Sequence, residues 1–184
     1  MPEEILIQYT SPTLAGLKPG NLFTFRFSGK ADMRDSIQKM NRTLVPKGLC
    51  MIPLRGRGER TLVYLFRPSM VEEKLSDSKA REILDRYGYR EGTMGRKLST
   101  LISRMRQEED FPHEIGLFLG YPPEDVEGFI ANRAKNAKYT GTWKVYGDEE
   151  RAKRTFRKYE RCTEIYSRQW KKGMRLEKLI VPAS

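Results

Sequence analysis

His113, the single histidine of the chain, is followed by a carboxylate, Glu114. An imidazole changes charge near neutral pH, so His113 could serve as a general base or a haem ligand, with Glu114 as the second weak candidate for catalysis. The pair is not an H-E-x-x-H zinc motif, because the second histidine is absent. Neighbours on a helix also point about 100° apart, so the two would not share a face. His113 could equally cap a helix or satisfy a hydrogen bond in the core. No Ser–His–Asp order can be assembled around it. Cys50 and Cys162 are too few for a disulfide framework or a zinc site. Cys50 lies in an apolar run and reads as a buried, inert thiol. Cys162 lies on a basic helix, which would lower its pKa, but it flanks an apolar stripe, where burial raises it. No cofactor and no metal site is predicted.

Charge is the stronger signal. The chain carries a net +11 over 184 residues. From Ala131 to Arg175 there are 14 Lys and Arg against 5 Asp and Glu, leaving +9 in that one quarter. Such a segment attracts nucleic acid, an acidic protein or an anionic ligand. Within it, Asp148, Glu149 and Glu150 suit the positive start of a long helix. Ala152, Phe156, Tyr159, Thr163, Tyr166 and Trp170 then recur at steps of three and four, a stripe to be buried. The other side presents Arg151, Lys153, Arg154, Arg157, Lys158 and Arg161, with Lys171 and Lys172 near the end. Arg151, Arg154, Arg157, Lys158 and Arg161 are the candidate partner-binding residues. A solvated helix face, basic for solubility alone, is the competing explanation.

A second basic candidate is smaller. Ser11-Pro12-Thr13-Leu14-Ala15-Gly16 reads as a capped single turn, with Ser11 as N-cap and Pro12 at the first helical position. A helix start can hold an anion, which makes Ser11, Thr13, Lys18 and Lys144 anion-binding candidates. No Gly-rich phosphate loop is completed here, so a purely structural turn competes. The loop Arg55-Gly56-Arg57-Gly58-Glu59-Arg60 is a hairpin tip whose arginines could meet RNA or merely keep it soluble.

These residues need positioning elements. Ile5–Tyr9 is a possible first strand. Leu22–Phe27, with Phe23, Phe25 and Phe27 on one face, is a strand by alternation. Asp32 can cap a helix carrying Met33, Ile37, Met40 and Leu44, which Pro46 and Gly48 stop. Leu49–Leu54 and Thr61–Phe66 are strands flanking the arginine loop. Ser69 and Glu72 have capping-box spacing. Short helices follow through Leu75 and through Ile83, Leu84 and Tyr87 to Gly88. Another carries Met94, Leu98, Leu101, Ile102 and Met105. Gly141–Tyr146 reads as a strand, Gly173 as a C-cap, and Leu176–Val181 as a closing strand. Strand, long helix and strand make a βαβ unit.

Phe111 to Ile130 holds two short helices around a sharp corner. Asp110 can cap the first, with Pro112 in its first turn. Gly120 ends it with positive φ, and Pro122 and Pro123 open the second. Gly116, Leu119, Gly120, Val126 and Ile130 imitate a DNA-binding helix-turn-helix. The exposed start of the second helix is acidic, at Glu124, Asp125 and Glu127, where phosphates would lie. A packing corner of Ile115, Leu119, Val126 and Ile130 fits better.

Three stretches stand together: Ser11 to Lys18, His113 to Pro122, and Trp143-Lys144-Val145-Tyr146-Gly147-Asp148. In these the chain resembles the clostridial family catalogued as domain of unknown function 3793, over nearly its whole length. The resemblance implies no established activity. It implies an anaerobic Firmicute setting and an association with flavodoxins and ferrous-iron uptake. Many members of that family carry cysteines near the first and last motifs, where this chain has Tyr9-Thr10-Ser11 and Thr140-Gly141-Thr142. A thiol or metal role is therefore not general to such a family, or is lost here.

The expectation is a single α+β domain over 1–184, with a mixed sheet, several short helices, an αα-corner and a C-terminal βαβ unit. Hydrophobic residues at 38% and charged residues at 32% describe a water-soluble globular chain. Its start, Met1-Pro2-Glu3-Glu4, lacks the pattern of a signal peptide, and no apolar run spans a membrane, so a cytoplasmic setting is expected. The expected role is binding rather than catalysis, with an acidic, flavodoxin-like protein as partner. Nucleic acid is the alternative partner, and a small enzyme or haem or metal binder centred on His113 the third possibility. No membrane partner is expected.

Overall fold

The computed structural model describes residues 1–107 and 111–183. Asp110, expected to cap the first corner helix, lies outside the described residues. The chain divides into two compact units. The first takes Met1–Met70 and Tyr159–Ser184, the second Val71–Lys158. Both contain helix and strand, so the chain is α+β.

A run that is apolar on both faces belongs in the middle of a sheet. Thr61–Phe66 is such a run, and it forms most of the central strand of the first unit. With β1 at Gly20–Arg26, β2 at Cys50–Arg57 and β3 at Arg60–Phe66, the strand order is β1-β3-β2. Both pairings are antiparallel, with Phe23 opposite Val63 and Met51 opposite Leu65. Pro53 cannot donate to a ladder, and it stands on the edge strand β2, where the register shifts before Arg55. Phe23, Phe27, Met51, Val63 and Leu65 face the core of this unit. On the other face Tyr64 and Phe66 are buried and stacked, with ring centroids 4.6 Å apart. Gly20 leaves room for that tyrosine, since a Cβ there would come within 2.5 Å of its ring.

The first segment is a helix, α1 (Glu3–Leu14), not a strand over Ile5–Tyr9. Adjacent Leu6 and Ile7 are both buried, with Thr10 and Leu14 following at helical steps; a strand would have turned Leu6 and Ile7 to opposite faces. Ser11 is therefore inside a helix rather than at its N-cap. Pro12 sits near the C-terminal end of α1, and its carbonyl accepts the N–H groups of Leu17 and Lys18. The next helix, α2 (Lys30–Leu44), buries Ile37, Met40 and Leu44 against the core. Asp32 lies in its first turn and not at its cap. From there Oδ2 accepts the Ser28 N–H at 2.9 Å, which holds the carboxyl below its usual range. A single 3-10 turn, Val45–Lys47, ends at Gly48 with φ +79°.

The tail of this unit corrects a further expectation. Leu176–Leu179 is a short helix rather than a strand over Leu176–Val181, so the expected C-terminal βαβ unit is not formed. The three-stranded sheet is wholly antiparallel rather than mixed. Leu176, Leu179 and Ile180 are all buried, a helical spacing that alternation cannot supply.

The second unit is mostly helical. It begins within α3 (Pro68–Leu75), whose start places Ser69 in the first turn rather than at a cap. Asp77 caps α4 (Ser78–Arg86), accepting from the Lys79 and Ala80 N–H groups at 3.0 and 3.1 Å. Helix α5 (Met94–Gln107) buries Leu101 and Met105. The expected corner is present as α6 (Ile115–Phe118) and α7 (Pro123–Ala131), with Gly120 between them at φ +76° and Pro122 as the N-cap residue of α7. Ile115, Leu119 and Val126 are buried and Ile130 is half-buried. The strand expected over Gly141–Tyr146 is reduced to β5 (Lys144–Val145), paired antiparallel with β4 (Tyr139–Thr140). The last two helices are α8 (Glu149–Lys171), which begins in this unit and ends in the first, and α9, the short Leu176–Leu179 helix already described. Asp148 caps α8 through the Arg151 N–H at 2.9 Å, and Gly173 beyond its end has φ +85°.

Candidate functional site: the basic face of the long helix

Helix α8 is amphipathic in the expected sense. Ala152, Phe156 and Cys162 are buried, and Tyr159, Thr163, Tyr166 and Trp170 are half-buried. Arg151, Arg154, Arg157, Lys158 and Arg161 are all exposed. Four of them, Arg151, Arg154, Arg157 and Lys158, form no ion pair with any described residue. Arg161 pairs with Glu164 at 3.5 Å, but both side chains are more than 60% exposed, where such a pair is weak. Lys153 is different. Its ammonium lies 2.6 Å from Glu149 and 3.2 Å from Glu150, and those hydrogen bonds hold its pKa above the usual lysine value. Among the described residues the helix thus pairs Lys153 with two carboxylates near its start and leaves Arg151, Arg154, Arg157 and Lys158 without one. Arg151 to Arg161 spans about 15 Å of helix axis.

Near the start of α8, Arg151 also lines a cavity of about 420 Å³, with Glu73, Lys74, Asp77, Tyr121 and Glu124. Three carboxylates face two cations there, so the cavity offers a ligand no single sign of charge.

The structure sends His113 and Glu114 apart. His113 is exposed and lies edge-on to Phe129, with ring centroids 5.0 Å apart. It neither caps a helix nor takes a side-chain hydrogen bond among the described residues. Glu114 is fully buried. Its Oε1 accepts the Tyr89 hydroxyl at 3.0 Å and the Arg104 Nε–H at 2.6 Å. A carboxylate held this way anchors packing, and removing one partner of such an ion pair is costly. The two neighbours do not form one acid–base pair.

The anion-binding candidates are employed otherwise. Ser11 donates its hydroxyl to the Ile7 carbonyl, and Thr13 donates to Asn21 Oδ1 at 2.7 Å. They stand at the carbonyl end of α1, which favours a cation. Arg67 is that cation. It is 3% exposed, with Nε donating to the Thr13 carbonyl at 2.7 Å and Nη2 to the Leu14 and Val181 carbonyls at 2.8 and 2.6 Å. Lys18 is 2% exposed, 5.8 Å from the centre of the Tyr159 ring, and burial lowers its pKa to about 8. Lys144 belongs to the other unit, where its ammonium donates to the Ala134 carbonyl at 2.6 Å. That contact supports a loop in which Arg133 and Ala134 both have positive φ.

Both cysteines are free. Burial raises the Cys162 thiol to about 11, which overrides the neighbouring basic residues, and raises that of Cys50 as well.

Sequence reasoning misses two buried anchors: Arg67, and Asp125, expected at the exposed start of the second corner helix but 3% exposed in the first turn of α7. Asp125 Oδ1 accepts the N–H groups of Tyr146 and Gly147, both at 2.7 Å, and Oδ2 accepts the Trp143 indole N–H at 2.7 Å. An acidic residue after two prolines reads as a dipole partner, and nothing in its spacing announces donors some twenty residues away.

No helix among the described residues is long and apolar enough to cross a membrane. Residues 6–180 match the model of the family described as "Protein of unknown function (DUF3793)", and the chain belongs to that family. No curated protein and no solved structure matches it.

Proposed function

For this DUF3793 chain we propose a cytoplasmic docking role, in which the basic face of α8 binds an acidic protein such as an electron carrier of the flavodoxin type. The observation that carries it is the run Arg151, Arg154, Arg157 and Lys158, exposed and without a carboxylate partner in the described structure. A run of free cations on one rigid helix raises the local concentration of an acidic partner and orients its approach. Free cysteines of raised pKa suit a reducing compartment. Catalysis is not proposed, since the candidate pair His113 and Glu114 is divided between solvent and core.

Titration of an acidic flavodoxin against the full chain, at rising salt, tests the role. Binding should weaken steeply toward roughly 0.5 M salt, where the Debye length is near 4 Å. A duplex DNA titrated in parallel separates the alternative. If DNA binds more tightly than flavodoxin, with a log–log salt slope of about 0.9 per phosphate contacted, the partner is nucleic acid.

A further inference from the structure

Followed along α8, the exposed cations continue past Arg161. Arg151, Arg154, Lys158, Arg161, Ile165 and Arg168 lie at steps of three, four, three, four and three, and all six are exposed. That alternation is the spacing by which one helix presents a seam to another. It lies opposite Ala152, Phe156 and Thr163, and runs for about 26 Å. Ile165 interrupts the cations with an apolar side chain that is 40% exposed. A face kept basic for solubility has no use for it. Exposed Glu160 and Glu164 stand along one flank of the seam.

Resting on the docking role above, we propose that the occupant of this seam is an acidic amphipathic helix, with Asp or Glu at three–four spacing and one apolar residue set against Ile165. Charge complementarity supplies the sign of the partner. The seam spacing supplies its conformation, because a partner crossing at about 20° stays in step with such a row. Single exposed ion pairs are weak, so an acidic patch of arbitrary shape would gain little. Repetition along the seam and a desolvated apolar contact at Ile165, toward its C-terminal end, distinguish a helix from such a patch. Glu160 and Glu164 repel acid on their flank and confine the partner to the seam.

Two labelled peptides of about 18 residues test this against the full chain by fluorescence anisotropy. One is helical, with Glu at seam positions and Leu placed to meet Ile165. The other has the same composition, permuted to destroy the spacing. The helical peptide should bind about tenfold more tightly at roughly 0.15 M salt. Ile165→Ser should shrink that preference to about twofold while leaving the permuted peptide's affinity unchanged. Equal binding of both peptides, with both lost in the Arg154→Glu, Lys158→Glu double variant, would overturn the helical occupant and leave the docking role standing. Failure of both peptides to bind, with flavodoxin also failing, would overturn the two together.

Discussion

Trp143 donates its indole N–H to Asp125 at 2.7 Å, and the carboxylate that accepts it is 3% exposed. Through this contact and the Tyr146 and Gly147 N–H groups, one side chain ties α7 to the β5 segment. Trp143 in turn stacks on Tyr121 at 4.8 Å and meets Phe156 edge-on at 4.4 Å. Asp125 thus holds the Trp143–Asp148 stretch to α7, and Trp143 on Tyr121 joins it to the His113–Pro122 stretch, two of the three by which the chain resembles its family.

Asp125→Ala should cost about 3 kcal/mol or more, because it leaves one buried and two half-buried donors without their acceptor. Trp143→Phe removes one donor and should cost less. In a urea-unfolding double-mutant cycle, the pair should couple by about 1–2 kcal/mol. Additive losses would show that the hydrogen bond contributes nothing of its own.

Gly116 packs close against Val126 across the corner. A Cβ on Gly116 would lie 2.8 Å from Val126 Cγ2 and 3.1 Å from the Tyr121 ring. Gly116→Ala should destabilise by about 1–3 kcal/mol through overpacking. Val126→Ala should cost about as much by truncation. The double variant should cost less than the sum, since each change relieves the other. Thermal melts showing strict additivity would mean that the two helices do not pack as described. Glu124→Ala, on the exposed side, should lose only a few tenths of a kcal/mol of helix-dipole stabilisation.

The parts legible in the sequence were those whose information is local. Periodicity marked α2, α8 and the strands at Phe23–Phe27 and Thr61–Phe66, and the Pro–Gly punctuation marked the corner. Short apolar runs failed at Ile5–Tyr9 and Leu176–Val181, because five or six residues fit both periods and the buried set decides between them. The candidate site was legible as a helix face, since a stripe fixes the opposite side. The buried polar anchors were not. Arg67 reaches carbonyls 53 to 114 residues away, and Asp125 reaches donors 18 to 22 residues away.

Lys18 gives the fold a pH signature. Burial lowers its pKa to about 8 from an ordinary 10.5. Between those values the unfolded chain holds the proton and the folded chain releases it, so this group adds stability as pH rises through the window. Relative to Lys18→Met, the wild-type unfolding free energy should therefore gain about 2 kcal/mol from pH 8 toward 10.5. The titration of Cys162 is common to both proteins and cancels. A difference that stays flat or declines would contradict a buried, proton-releasing lysine.

His113 stands in solvent against Phe129, so His113→Gln should leave the melting temperature and flavodoxin binding essentially unchanged. Glu114→Gln should lower stability by about 2–4 kcal/mol through loss of its charged partner to Arg104. Stoichiometric haem or metal binding that vanished in His113→Gln would restore a ligand role to this residue.

Docking through α8 requires the charge of its exposed run Arg151, Arg154, Arg157 and Lys158. The Arg154→Glu, Lys158→Glu double variant reverses that charge at exposed positions and should keep the wild-type melt. Its affinity for an acidic flavodoxin, measured by calorimetry at low salt, should fall at least tenfold, to the level wild type shows at roughly 0.5 M salt. Unchanged affinity in a fully folded double variant would reduce the basic face to a solubility feature and contradict the docking role.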